Sequence, residues 1–129
     1  MAALTSDRDT PARDGRLFVH PVKAGVAIYA GALVMLDATG AAVPASAATT
    51  LKPAGRAAYA MTGGSADGDA SVTVERGCFR WGNAGDITRT HTGSAAYAVD
   101  DQTVSATATG RSACGVIRDI DALGVWVEV

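Results

Sequence analysis

The sequence predicts an all-β fold: a small meander or barrel-like β body preceded by an extended N-terminal arm. Along the body, apolar and polar residues alternate with a period of two rather than 3.6, as half-buried strands require. Two turns share the form Asp-Ala-x-Gly, at Asp37-Ala38-Thr39-Gly40 and Asp121-Ala122-Leu123-Gly124. In each, Asp can hydrogen-bond the turning backbone and Gly accepts a positive φ. Ahead of the body, Asp7, Arg8, Asp9, Arg13, Asp14 and Arg16 place six charges in ten positions and leave almost nothing apolar to bury. The chain therefore divides into an arm, residues 1–16, and a single β-rich domain, residues 17–129.

Each element follows from its local pattern. The apolar run 17–22 contains His20 just before Pro21, which suits an edge strand. Residues 32–36 and 41–43 form a hairpin about the first Asp-Ala-x-Gly turn. Alanine favours helix over residues 45–60, while Thr49, Thr50, Pro53 and Gly55 oppose it. This stretch allows at most a short helical turn, followed by a strand through residues 56–61. Gly63, Gly64 and Gly68 mark a flexible surface loop. Val72 and Val74 then alternate with Thr73 and Glu75, and Phe79 and Trp81 flank Arg80. Residues 82–93 read as irregular, with Ile87 their only large apolar side chain. Tyr97 and Val99 flank Ala98, and Val104, Ala106 and Ala108 alternate with Ser105 and Thr107, so residues 95–99 and 103–108 form a hairpin across Asp100-Asp101. Residues 114–120 and 125–129 form the last one, across the second Asp-Ala-x-Gly turn.

Composition bounds the function. Of 129 residues, 27 are Ala, against 25 Val, Ile, Leu and Phe together, so the core is thin and gains from burying further surface against copies of the chain or a larger assembly. Eleven basic against thirteen acidic residues supply no phosphate-neutralising stripe, which argues against nucleic acid as a partner. The longest apolar stretch, residues 26–36, is broken by Gly31 and too short to span a bilayer, so no membrane role is expected. The start lacks the charged-then-apolar pattern of a leader, which suggests synthesis in the cytoplasm. Cys78 and Cys114 lack metal-ligand spacing and are expected to be buried free thiols, with a single inter-strand bridge the other option.

No residue set points to catalysis or to a cofactor. His91 lies near Ser94, but there is no G-x-S-x-G elbow and no strand–helix alternation to present one. Asp100, Asp101, Asp119 and Asp121 do not follow a calcium-loop pattern and are explained by hairpin turns. The glycines at 63, 64 and 68 precede no Lys-Ser/Thr pair, as a phosphate loop would need. Trp81 and Trp126 read as core or subunit-interface residues. With Tyr97 they could instead form the aromatic platform of a carbohydrate- or host-surface-binding β module.

Several stretches together resemble the small capsid decoration, or cement, proteins encoded beside the major capsid protein in Mu-like tailed bacteriophages and prophages. They are the polar segment 5–15, residues 24–37 with Gly40, Val43 and Pro44 after it, residues 72–79, 96–104 and 115–121, and the end at 124–129. The resemblance implies a β-tulip-like body and a homotrimer seated on the outer surface of an icosahedral capsid in the virion. There it would clamp neighbouring major capsid proteins without enzymatic activity or cofactor. It also makes Asp7, Arg8, Asp9, Arg13, Asp14 and Arg16 candidates for contact with the capsid.

Overall fold

The computed structural model describes residues 2–129. Its twelve strands are β1 (Leu17–Pro21), β2 (Ala27–Ile28), β3 (Leu33–Leu36), β4 (Ala42–Pro44), β5 (Lys52–Ala57), β6 (Met61–Thr62), β7 (Ser71–Glu75), β8 (Cys78–Asn83), β9 (Ala95–Ala98), β10 (Thr103–Ser105), β11 (Ala113–Asp121) and β12 (Gly124–Glu128), with a single 3₁₀ turn at Arg89–His91. The all-β expectation and its barrel-like form both hold. Strands β10-β8-β12-β11-β9 close into a small barrel, β1-β7-β5-β3-β4 form a five-stranded sheet, and β2 pairs with β6.

The three expected hairpins form, as β3–β4, β9–β10 and β11–β12. Their turns use the predicted chemistry. Asp37 Oδ1 accepts the N–H groups of Thr39 and Ala41 at 2.9 and 3.0 Å, and Gly40 sits at φ +86°, where a Cβ would be strained. Asp121 Oδ1 accepts the N–H groups of Leu123 and Gly124 at 2.8 and 3.1 Å. Asp100 Oδ1 accepts the Gln102 N–H at 2.9 Å.

Other pairings join distant segments. β1 lies antiparallel to β7, with Leu17 opposite Glu75, and β8 pairs antiparallel with β12 and parallel with β10. The sheet is therefore not a sequential meander throughout. Strand β3 is the hinge of the architecture, since all four of its residues are buried or nearly so. Successive side chains point to opposite faces. Leu33 and Met35 accordingly enter the barrel core with Trp81, Ile117, Val125 and Val127, while Val34 enters a second core with Val22, Ile28, Val72 and Val74.

Several expectations need correction. No helical turn forms between β4 and β5, and the strand predicted at 56–61 starts at Lys52, breaks after Ala57 and resumes as β6. Pairing with β3 overrides the helix propensity of the alanines. Pro53 is tolerated because β7 pairs with β5 only at Arg56 and Ala57. Gly55 is needed because a Cβ there would run into the Glu75 carbonyl oxygen. β10 ends at Ser105 instead of reaching Ala108, because Asp86 captures the Ser105 and Thr107 hydroxyls at 2.6 and 2.8 Å and the Ala106 N–H at 3.2 Å. Both thiols are free, but only Cys114 is buried. Cys78 and Arg80 alternate outward on β8 while Trp81 turns in.

Candidate interaction surface

Residues 2–16 form no strand or helix, and all are exposed. The far end of the segment is nonetheless tied to the body. The Arg13 guanidinium lies 4.6 Å from the Phe18 ring centroid, Asp14 Oδ1 accepts the Arg16 N–H at 3.1 Å, and Arg16 pairs with Glu75 at 3.2 Å. The Arg16 carbonyl accepts the Arg76 N–H at 2.7 Å. Among the described residues, Asp7, Arg8 and Asp9 make no ion pair or side-chain hydrogen bond with the rest of the chain. Of the six arm residues singled out in the sequence, Arg13 and Arg16 are thus held by the body, Asp14 bonds within the segment, and Asp7, Arg8 and Asp9 are exposed without such a partner.

Where the segment joins β1, two apolar side chains stand on the outer face of the sheet opposite the polar Thr73 and Glu75. Leu17 and Val19 are 46% and 64% exposed, and the half-exposed Tyr59 reaches the same face, its hydroxyl 3.1 Å from Thr73 Oγ1. Phe18 and His20 point the other way, into the mouth of the second core, with their rings stacked at 6.5 Å. Burial lowers the pKa of His20, favouring its neutral form.

The aromatic residues do not build an open platform. Trp81 is buried within the barrel, so of the two proposed interface tryptophans only the half-buried Trp126 keeps any surface. Its own neighbours cover that surface: Arg80 lies 5.6 Å from the ring centroid, and the indole N–H donates to Asp121 at 2.9 Å. Arg56 similarly covers Phe79 at 4.3 Å. Tyr97, half-buried on β9, stands in a different strand ladder from β8.

Chemistry-bearing residues are dispersed. His91 Nδ1 accepts the Thr88 N–H at 2.9 Å, closing its own 3₁₀ turn, and Ser94 meets His91 only through the backbone, its N–H donating to the His91 carbonyl at 2.8 Å. No His–Ser side-chain hydrogen bond forms among the described residues. Asp119 pairs with Arg89, and Asp121 with Trp126 and Arg80. No group of three His, Cys, Asp or Glu side chains suited to a metal ion occurs among the described residues. Asp86 stays ionised below the usual carboxylate range: desolvation opposes this, but the Ser105 and Thr107 hydroxyls outweigh it. Burial pushes the Cys114 thiol up to about 12 and raises Cys78 to a lesser degree. The loop at Gly63, Gly64 and Gly68 is bonded back to the body, with Asp67 accepting the Ala24 N–H at 2.8 Å.

A cleft of about 660 Å³ lies where the N-terminal segment meets the end of the barrel, between Asp14, Arg16, Arg76, Gly115, Glu128 and Val129. It is open and of mixed charge, with no convergent catalytic groups. The surface the fold does present is the N-terminal segment together with the β1 face beside it. Sequence reasoning found the segment from its charge but missed the face, whose signal was Leu17 and Val19 alternating with Phe18 and His20. Comparison with family models, curated proteins and solved structures finds no significant match to any of them.

Proposed function

We propose that this chain is a structural virion protein, a capsid decoration protein that binds the outer surface of an icosahedral phage shell as a homotrimer and clamps neighbouring major capsid proteins. One observation carries the reading. The stretches that resemble the decoration family coincide with framework and not with a catalytic constellation: residues 24–37 cover β2 and β3, residues 72–79 take in nearly all of β7 and the start of β8, residues 96–104 span most of β9 and β10, and the two C-terminal stretches take in most of β11 and all of β12. The family's polar start, residues 5–15, corresponds to the exposed segment ahead of β1.

In this reading the N-terminal segment reaches the shell. Arg13 and Arg16 are engaged with Phe18 and Glu75, which leaves Arg8 as the arginine directed at acidic groups on the capsid through charge-assisted hydrogen bonds. Each such contact is weak. Three linked copies on adjacent equivalent sites raise the effective concentration and make the whole attachment strong.

Co-sedimentation with expanded shells of the cognate major capsid protein tests the proposal. The full chain should pellet with the shells, and a chain lacking residues 2–15 should stay folded and remain in the supernatant. Shells that leave the full chain in solution would overturn the reading, and undiminished pelleting of the shortened chain would remove the segment's role in it.

A further inference from the structure

The two edges of the five-stranded sheet are treated differently. At β4, Pro44 has no N–H to offer and the Ala42 carbonyl accepts the N–H of Lys23, just past β1, at 3.1 Å beside a parallel Val22–Ala42 bridge. That edge is therefore blunted by the chain that continues from β1, and only the Leu17–Val19 end of β1 is left without an outer neighbour among the described residues. At β1 the backbone bonds that bracket the strand run from Val22 N–H to the Ala70 carbonyl and from Arg76 N–H to the Arg16 carbonyl. In the antiparallel register these mark the even-numbered residues as the ones bonded to β7. The N–H and C=O groups of Leu17 and Val19 therefore point away from the sheet, and no strand among the described residues pairs with them. An open edge with exposed apolar side chains is a template for another strand.

We propose that the Leu17–Val19 edge of β1 binds residues 4–9 of a second copy of this chain as an added strand. Residues 2–10 contain neither Pro nor Gly, and they lie in no element of their own domain. The residues ahead of β1 extend to roughly 50 Å at full stretch, several times the ~14 Å radius of gyration of a chain this size, so they reach a neighbouring body. Alternation supplies the fit. One face of the added strand carries Leu4, which is 72% exposed in its own chain, and lays it beside Leu17 and Val19. The other face carries Asp7 and Asp9 and turns them toward the mouth of the second core. There, an opening of about 200 Å³ is bounded by Phe18, His20, Leu36 and Arg76, with Arg13 over Phe18. Neither Arg13 nor Arg76 has a carboxylate partner among the described residues. Arg8 falls on the Leu4 face and stays available, so strand exchange goes beyond the decoration reading without competing with it.

The test uses purified protein without shells, so its result is separate from shell binding. Sedimentation equilibrium should show the full chain associating. Amide exchange at Leu17 and Val19 should slow by about tenfold or more from dilute to concentrated solution. Val19→Pro removes an outward N–H that β7 does not use, and the preceding Phe18 is already extended as a residue before proline must be. It should leave the sheet intact and the protein monomeric. The double variant Asp7→Lys, Asp9→Lys lies outside every element and decides the matter even if Val19→Pro does not fold; it should also be monomeric. Association of the double variant equal to that of the full chain would overturn the proposal. So would a full chain that stays monomeric, or edge protection independent of concentration, which would mean that the chain covers its own edge.

Discussion

Asp37 shows how a single carboxylate sets a turn. Oδ1 accepts the Thr39 hydroxyl at 2.6 Å together with the backbone N–H groups of Thr39 and Ala41, and Oδ2 pairs with Lys23 at 3.2 Å. The Thr39 hydroxyl is the leading cause that holds this carboxyl well below the usual carboxylate range, against a smaller opposing effect of desolvation. Because the folded pKa is depressed, the stabilisation is complete above the unfolded value near ~4 and is lost as pH falls toward the folded value. Asp37→Ala should therefore lower the melting temperature at pH 7, and its gap from the parent chain should narrow progressively below about pH 4. Thermal melts across that range check this, and a gap that stayed constant into strong acid would contradict it. The role of Asp37 was legible because an Asx turn lies within four residues. The two cysteines were not separable in the same way: one alternates outward on β8 and the other faces the barrel core, which depends on where the barrel closes.

At the scale of elements, β3 carries the most consequence per residue. Its unbroken Leu-Val-Met-Leu run has no polar face because both sides of the strand pack into a core, with only Leu36 partly exposed. Leu33 is fully buried on the barrel side, and Leu33→Ala should cost about 2–5 kcal/mol, read from urea denaturation midpoints with an unchanged slope. A cost below about 1 kcal/mol would mean that the barrel core closes over the deleted side chain. The hairpins flanking such strands were readable from turn residues and alternation. Strand β5 was not, because Ala, Pro and Gly speak against a strand locally and only the facing backbones of β3 and β7 make one.

For the whole molecule, the two cores are not independent. They share β3, and the Leu33 N–H donates at 2.8 Å to the carbonyl of Asp101 in the β9–β10 turn, which ties the open sheet to the barrel. Unfolding should therefore be one cooperative transition, with calorimetric and van't Hoff enthalpies in agreement. Two resolved transitions in calorimetry would show that the sheet and the barrel melt separately. What the residue pattern determined by itself was the all-β class, the three hairpins, the thin alanine-rich core and a charged N-terminal segment that no local apolar surface can bury. These features are encoded within a few neighbouring positions, by side-chain alternation, turn hydrogen bonds and charge density. Pro21 had already marked residues 17–22 as an edge strand, but tertiary structure alone decided that β1 pairs with β7, that β8 bridges β10 and β12, and that Trp81 faces inward. Those outcomes depend on which distant backbones meet, and no short window of sequence contains both partners of such a pair.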